Sequence, residues 1–273
     1  MGLIREPLNL KLNHKAYPFQ FDAFNIIKDE DYFAIFHEQG LGKTKIAIDL
    51  AFYWLKERKA DSILIVTKKS LIANWKDELN DHGNISPLTL SNNKTENSKK
   101  LGQAGAIYLC NYELIRGDVN NFIRFFMIRN CAIILDESTQ IKTPSSKTAK
   151  AFHKLSPHAK KRIIMTGTPI SNRPYDIWSQ IYFLDQGKRL GESFDDFKDK
   201  YDLNNNLNND RSGQIIFKNN LKNLKKEIRD CSLRETKKTA GIELPDRRFI
   251  VETVPMDAKQ KILYEKMQIE LSA

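Results

Sequence analysis

The sequence predicts a doubly wound α/β domain with a mainly parallel sheet, and three observations carry that expectation. Short apolar runs without polar alternation recur along the chain, helical patterns separate them, and Gly40-Leu41-Gly42-Lys43-Thr44 sits at one strand-to-helix junction. Strands buried on both faces read as continuous apolar runs, and parallel pairing requires crossovers that cover those faces.

Taken in order, Ala34-Ile35-Phe36 is the first strand expected, Gly40 to Gly42 breaks it, and a helix follows through Ile46, Ala47, Leu50, Ala51, Trp54 and Leu55. Ser62 to Thr67 (SILIVT) is a β-branched buried strand, with a helix from about Ser70 to Leu79 after it. Ala106 to Cys110, Cys131 to Leu135 and Arg162 to Met165 are three more strands. The polar stretches Ser91 to Lys100 and Asn204 to Ser212 read as exposed loops, since they offer little apolar surface to bury. Phe194, Phe197 and Tyr201 predict a small helix, and Leu221, Leu224 and Ile228 a second with a basic outer face, together a helical appendage on the core.

Composition agrees with a folded chain: 273 residues with 41% apolar and 29% charged lie far from the signature of disorder. No apolar run approaches the roughly 18 residues of a membrane helix. The start Met1 to Glu6 carries neither a signal-peptide core nor a myristoylation serine or threonine, so export and lipid anchoring are disfavoured. Cys110, Cys131 and Cys231 are spaced for neither a zinc CxxC pair nor an even disulfide set, and are expected as reduced thiols. Trp54, Trp75 and Trp178 are expected in packing roles, and His14, His82, His153 and His158 at the surface.

The net charge of +10 is concentrated. Residues 142–162 hold seven Lys or Arg and no acid, and residues 218–238 hold eight against three acids; these windows carry +12 and leave −2 for the rest. Clustered cations suit a polyanion partner, although a solvated helix face would read the same way.

A strand, a glycine turn ending in Lys43-Thr44 and a helix form a phosphate-binding arrangement. Glycines let backbone N–H groups converge on phosphates, the helix N-terminus adds partial positive charge, Lys43 reaches the β- and γ-phosphates, and Thr44 offers a hydroxyl to Mg²⁺. The strict GxxxxGK[ST] pattern would place glycine where His37 stands. Asp136-Glu137 ends an apolar strand 93 positions after Lys43, at the edge where ligand crevices open. Asp136 there would hold Mg²⁺, and Glu137 would orient or deprotonate the attacking water.

In this order the motifs resemble the Swi/Snf-type branch of superfamily-two helicases, the DNA-dependent ATPases and translocases. Pro18-Phe19-Gln20 looks like the Q motif, in which glutamine reads adenine, and His37 to Thr44 is similar to DEMGLGKT, whose first position is likewise not glycine. Ile65 to Ile72 with Asn74-Trp75 resembles motif Ia, with Lys68 at the family's proline, and Asn111 to Arg116 resembles the SYExLR segment. Asp136-Glu137-Ser138-Thr139 takes the place of DEAH, with Thr139 at the histidine that helps couple hydrolysis to nucleic acid. Met165 to Asn172 resembles LTGTPIQN, Asp176 to Ser179 and Phe183-Leu184 continue the pattern, and Leu233 to Lys237 with Leu244-Pro245 looks like the link to a second lobe.

The resemblance implies a RecA-like P-loop lobe over residues 1–250 with a helical protrusion at about 188–235, then a linker and the start of a second lobe at 251–273, cut off soon after Met267. It implies ATP and Mg²⁺ as cofactors: Gln20, Gly40, Leu41, Gly42, Lys43 and Thr44 at the nucleotide, Thr44 and Asp136 at the metal, and Lys43, Asp136 and Glu137 in catalysis. Lys69, Ser70, Tyr112, Lys142, Thr166, Gly167 and Thr168 are implied on the coupling or DNA side. The expected partners are double-stranded DNA and a second RecA-like lobe in cis, in the cytoplasm, nucleoid or nucleus, with no membrane. A nucleic-acid-binding module with a regulatory or vestigial nucleotide site, and an RNA-directed helicase, remain as alternatives.

Overall fold

The computed structural model describes residues 13–170, 174–201, 203, 211–242, 250 and 252–271. Seven strands form one parallel sheet: β1 (Tyr32–Ile35), β2 (Ser62–Thr67), β3 (Leu88–Thr89), β4 (Ile107–Asn111), β5 (Cys131–Asp136), β6 (Lys161–Met165) and β7 (Ser232–Leu233). Their order across the sheet is β3-β4-β2-β5-β6-β1-β7. The period of two along each strand divides the apolar runs between two cores. Ile63, Ile65, Ala132, Ile134, Ile163 and Met165 face one layer of helices, while Leu64, Val66, Ile133, Leu135 and Ile164 face the other. Each fully buried side chain of this size contributes about 1.5–3 kcal/mol, which is why strands without a polar face stay central.

The first layer is α1 (Pro18–Ile27), α2 (Lys43–Lys56) and α3 (Ile72–Gly83), anchored by Trp54 and Trp75. The second core takes side chains from α4 (Lys94–Gly102), α5 (Tyr112–Gly117), α6 (Val119–Met127), α7 (Lys147–Leu155), α8 (Asp176–Asp185), α9 (Phe194–Tyr201) and α10 (Arg211–Glu227). Phe197 and Tyr201 of α9 and Leu224 of α10 are buried there, so the helical protrusion is packed onto this side. Packing divides the chain into two compact units, Met1–Gly241 and Ile242–Ala273, and the second contains α11 (Ala258–Leu271). Among the described residues no helix is long and apolar enough to cross a membrane. The three cysteines are buried and form no disulfide, and Trp54, Trp75 and Trp178 are all packed in the interior.

Several expectations are corrected. Ser91 to Lys100 is not a loop: Asn93 accepts from the Glu96 N–H, Lys100 pairs with Glu96, the Asn97 amide bonds Ser91 at both ends, and Leu101, just past the polar run, buries the helix on the core. One apolar anchor beyond a capped polar stretch is enough to seat α4. Ser212 lies inside α10, while residues 204–210 of that stretch fall outside the described residues, as do Ser171, Asn172, Leu244 and Pro245. His153 is not at the surface; its ring packs 4.7 Å from Tyr182, and Nε2 lies 3.0 Å from the Ser179 carbonyl. His82 is likewise half-buried, beside Glu78 and with its ring 4.9 Å from that of His14.

Candidate functional site

Parallel pairing brings the carboxyl ends of β2, β5, β6 and β1 to one edge in that order, through Val66 opposite Leu135, Asp136 opposite Met165, and Ile35 opposite Met165. Thr67, Asp136, Thr166 and the loop entering α2 therefore lie side by side, at the edge where a parallel sheet opens its crevice.

The loop from His37 to Gly42 delivers the chain into α2. Gly42 has φ of 65°, where a side chain would be strained, and a Cβ there would displace the Gln20 amide nitrogen. No side chain caps α2, which leaves its first-turn N–H groups available to an anion. Lys43 folds back over the loop, its Nζ donating to the carbonyls of His37 (3.0 Å) and Glu38 (3.2 Å). Burial lowers the Lys43 pKa, and Glu137 and Asp136 oppose that shift, so the ammonium and both carboxylates occupy one electrostatic environment. Gln20 is buried: its Oε1 accepts from the Tyr17 N–H, and its Nε2 donates to the Leu41 carbonyl at 3.3 Å.

Asp136 is oriented by two neighbours. Its Oδ2 accepts from Thr67 Oγ1 (2.9 Å) and Trp75 Nε1 (2.8 Å), while its carbonyl accepts from the Tyr112 hydroxyl (2.7 Å). Among the described residues Oδ1 of Asp136, the Glu137 carboxylate and the Thr44 hydroxyl take no hydrogen bond from protein. Those hard oxygen donors suit Mg²⁺. Glu137 stands at φ 55°, a left-handed conformation that costs a residue with a Cβ roughly 1–3 kcal/mol and recurs where function fixes a side chain.

The next residue, Ser138, is buried and donates to Gln180 Oε1 (2.7 Å), and Gln180 Nε2 donates to the Pro169 carbonyl (2.8 Å). Gln180 thus ties the Asp136-Glu137 strand end to the loop that follows β6. That loop reaches the phosphate loop as well: a Cβ on Gly167 would lie 2.8 Å from Gln39 Cγ. The Thr166 hydroxyl accepts from the Thr168 N–H, and the Thr166 N–H donates to Ile35. On the other side, β7 runs beside β1 and its continuation clasps the loop. Phe36 N–H donates to Leu233, Glu38 N–H to Glu235, Glu235 N–H to His37 Nδ1 (3.2 Å), and Lys237 N–H to Glu38 Oε2 (2.9 Å).

The residues expected at the nucleotide and metal are therefore gathered at one edge. The expected coupling residues divide: Lys69, Ser70 and Thr168 are exposed, Lys142 is paired with Asp176 at 3.3 Å, and Thr166 and Gly167 are buried. Tyr112 is corrected, because its ring is 2% exposed and its hydroxyl is spent on Asp136, so the side chain is a support beneath the carboxylate rather than a surface contact. Thr67 and Trp75 lie in the run that resembles motif Ia and Leu233 to Lys237 in the expected link, but the sequence predicts neither their hydrogen bonds at this edge nor the part of Gln180. A polar side chain inside an apolar element is the one signal that could have pointed to Thr67 and Gln180.

The SNF2-related domain profile matches residues 33–272. The chain is 31% identical over 180 residues to "DNA excision repair protein ERCC-6-like" of Danio rerio, covering 60% of this chain and 12% of that protein. It is 30% identical over 237 residues to "Helicase ssl-1" of Caenorhabditis elegans, covering 84% of this chain and 10% of that protein. Among solved structures, the Sulfolobus solfataricus SWI2/SNF2 ATPase core in complex with dsDNA aligns with a TM-score of 0.66 at 25% identity, covering 86% of this chain and 47% of that one.

Proposed function

Since this chain belongs to the SNF2-related domain family, we propose that it is the ATP-binding first motor lobe of a DNA-dependent ATPase that couples hydrolysis to movement on double-stranded DNA. The observation that carries the reading is the convergence of Lys43 with Asp136 and Glu137 at one sheet edge, where the two carboxylates act on the lysine's charge. The similarity to a solved ATPase core bound to dsDNA supports duplex DNA as the track.

The loop N–H groups and the α2 N-terminus take the phosphates, and Lys43 exchanges its two carbonyl partners for β- and γ-phosphate oxygens. Gln20 supports the loop and turns its amide to adenine at the expense of the Leu41 hydrogen bond. Thr44 and Asp136 Oδ1 would hold Mg²⁺, which when bound neutralises charge on the phosphate oxygens. Glu137, at the strand end beside Asp136 and with a left-handed backbone, orients the attacking water and accepts its proton. The Gln180 bridge and the close approach of Gly167 transmit a change at this edge to the loop after β6. Exposed Lys69, Ser70 and Thr168, with the basic face of α10, meet the nucleic acid. A second lobe supplies arginine to the γ-phosphate, a contribution of about 10³–10⁵ in turnover elsewhere, so residues 1–273 alone bind MgATP and hydrolyse it slowly. Such a motor works where duplex DNA is, in a nucleoid or nucleus.

Lys43→Ala in the full-length protein abolishes DNA-stimulated phosphate release. Undiminished release by that variant refutes the reading; duplex affinity indifferent to a nucleotide analogue would favour a binding module with a vestigial site.

A further inference from the structure

The segment after β7 holds the phosphate loop through its main chain and leaves one cation unused. Glu38 is gripped from both sides: its N–H donates to Glu235, and its carboxylate accepts from the Lys237 N–H. This fixes the start of the Lys237 side chain against the loop. The side chain then runs over Gly40, with Cε 3.7 Å and Nζ 4.0 Å from where a Cβ would project at that glycine. Lys237 is half-buried, and among the described residues its ammonium has no carboxylate or carbonyl partner. An ammonium without a salt-bridge partner is available to pair with an anion that arrives beside it. It overhangs the glycine turn whose N–H groups are proposed to face phosphate.

We propose that Lys237 is a second phosphate-binding lysine of this site, a positioning cation brought from the far side of the protrusion to the Gly40 face of the bound polyphosphate, opposite Lys43. The assignment rests on the nucleotide reading of the loop. It also gives the strap a function: the main chain that binds Glu38 and the side chain that meets phosphate are carried by one segment, so nucleotide occupancy and the seating of that segment reinforce each other.

The test is MgATP and MgADP affinity of the full-length protein, measured by titration for the parent, Lys237→Met, Lys237→Arg and Lys43→Ala. Methionine keeps an aliphatic stem over Gly40 and leaves the main-chain clasp untouched, so it removes the charge alone. Removing one charge-assisted hydrogen bond predicts roughly tenfold weaker binding of both nucleotides by Lys237→Met, with Lys237→Arg within about threefold of the parent. An unchanged thermal midpoint in Lys237→Met assigns the weakening to the ligand interaction. Parental affinity in Lys237→Met beside abolished affinity in Lys43→Ala overturns the assignment and spares the nucleotide site. Equal weakening by Met and Arg overturns it in favour of stem packing. Parental affinity in both Lys43→Ala and Lys237→Met removes the nucleotide site itself, and this assignment with it.

Discussion

Replacing Thr67 with valine deletes a hydroxyl that donates to Asp136 at 2.9 Å while leaving the shape of a fully buried side chain almost unchanged. Trp75→Phe removes the companion donor at 2.8 Å, at the additional cost of some packing volume. A hydrogen bond to a charged acceptor contributes about 1.5–3 kcal/mol, and because Asp136 is half-buried, water replaces part of each deleted bond. The lower end, about 1.5 kcal/mol, corresponds to roughly tenfold in an equilibrium constant. If these donors orient the carboxylate toward Mg²⁺, Thr67→Val raises the Mg²⁺ concentration for half-maximal turnover roughly tenfold, within the 10–100-fold range typical of groups that orient metal ligands. Trp75→Phe does the same, and the double variant falls short of the product, since the two donors share one oxygen. The assay is a Mg²⁺ titration of DNA-stimulated phosphate release by the full-length protein. A Thr67→Val enzyme with the parental Mg²⁺ midpoint and parental turnover would refute the orienting role.

Two further outcomes follow from the same structure. Burial pushes the imidazoles of His37, His82 and His153 below 6.5, so they are held neutral in the fold, and the unfolded chain binds more protons just under that pH. Stability is therefore complete above about pH 6.5 and declines as pH falls toward the depressed native values; urea midpoints at about pH 7.5 and 5.5 measure it, and His153→Gln flattens the difference. A parental pH difference in that variant contradicts the His153 contribution. Charge reversal at Lys222, Lys225 and Lys226, all exposed on α10, weakens duplex binding and lowers the logarithmic salt slope by about 0.9 for each phosphate no longer neutralised, whereas an unchanged slope assigns them to a solvated face.

The central strands were legible because burial on both faces leaves runs such as Ser62–Thr67 with no alternative reading. The glycine turn before Lys43-Thr44 and the acidic pair Asp136-Glu137 stand out for a related reason: each is a local pattern placed at a strand end. What stayed hidden lacks a local signature. β7 is two residues long, Ser232-Leu233, and becomes a strand only because β1 has an open edge. α4 reads as a polar loop until Leu101 finds the core and Asn97 finds Ser91. The hydrogen bonds of Thr67, Trp75 and Tyr112 to Asp136 bridge separations of 69, 61 and 24 residues, which no window of sequence displays. Tyr112, expected on the nucleic-acid side, is buried instead, since only packing decides which way a side chain at a strand end turns.

The most direct test of the central claim is the rate of phosphate release by the full-length protein with saturating double-stranded DNA, single-stranded DNA or RNA. Duplex DNA is expected to stimulate most, and Lys43→Ala to remove the stimulation. Equal rates with and without duplex DNA, or a larger response to RNA, would contradict it.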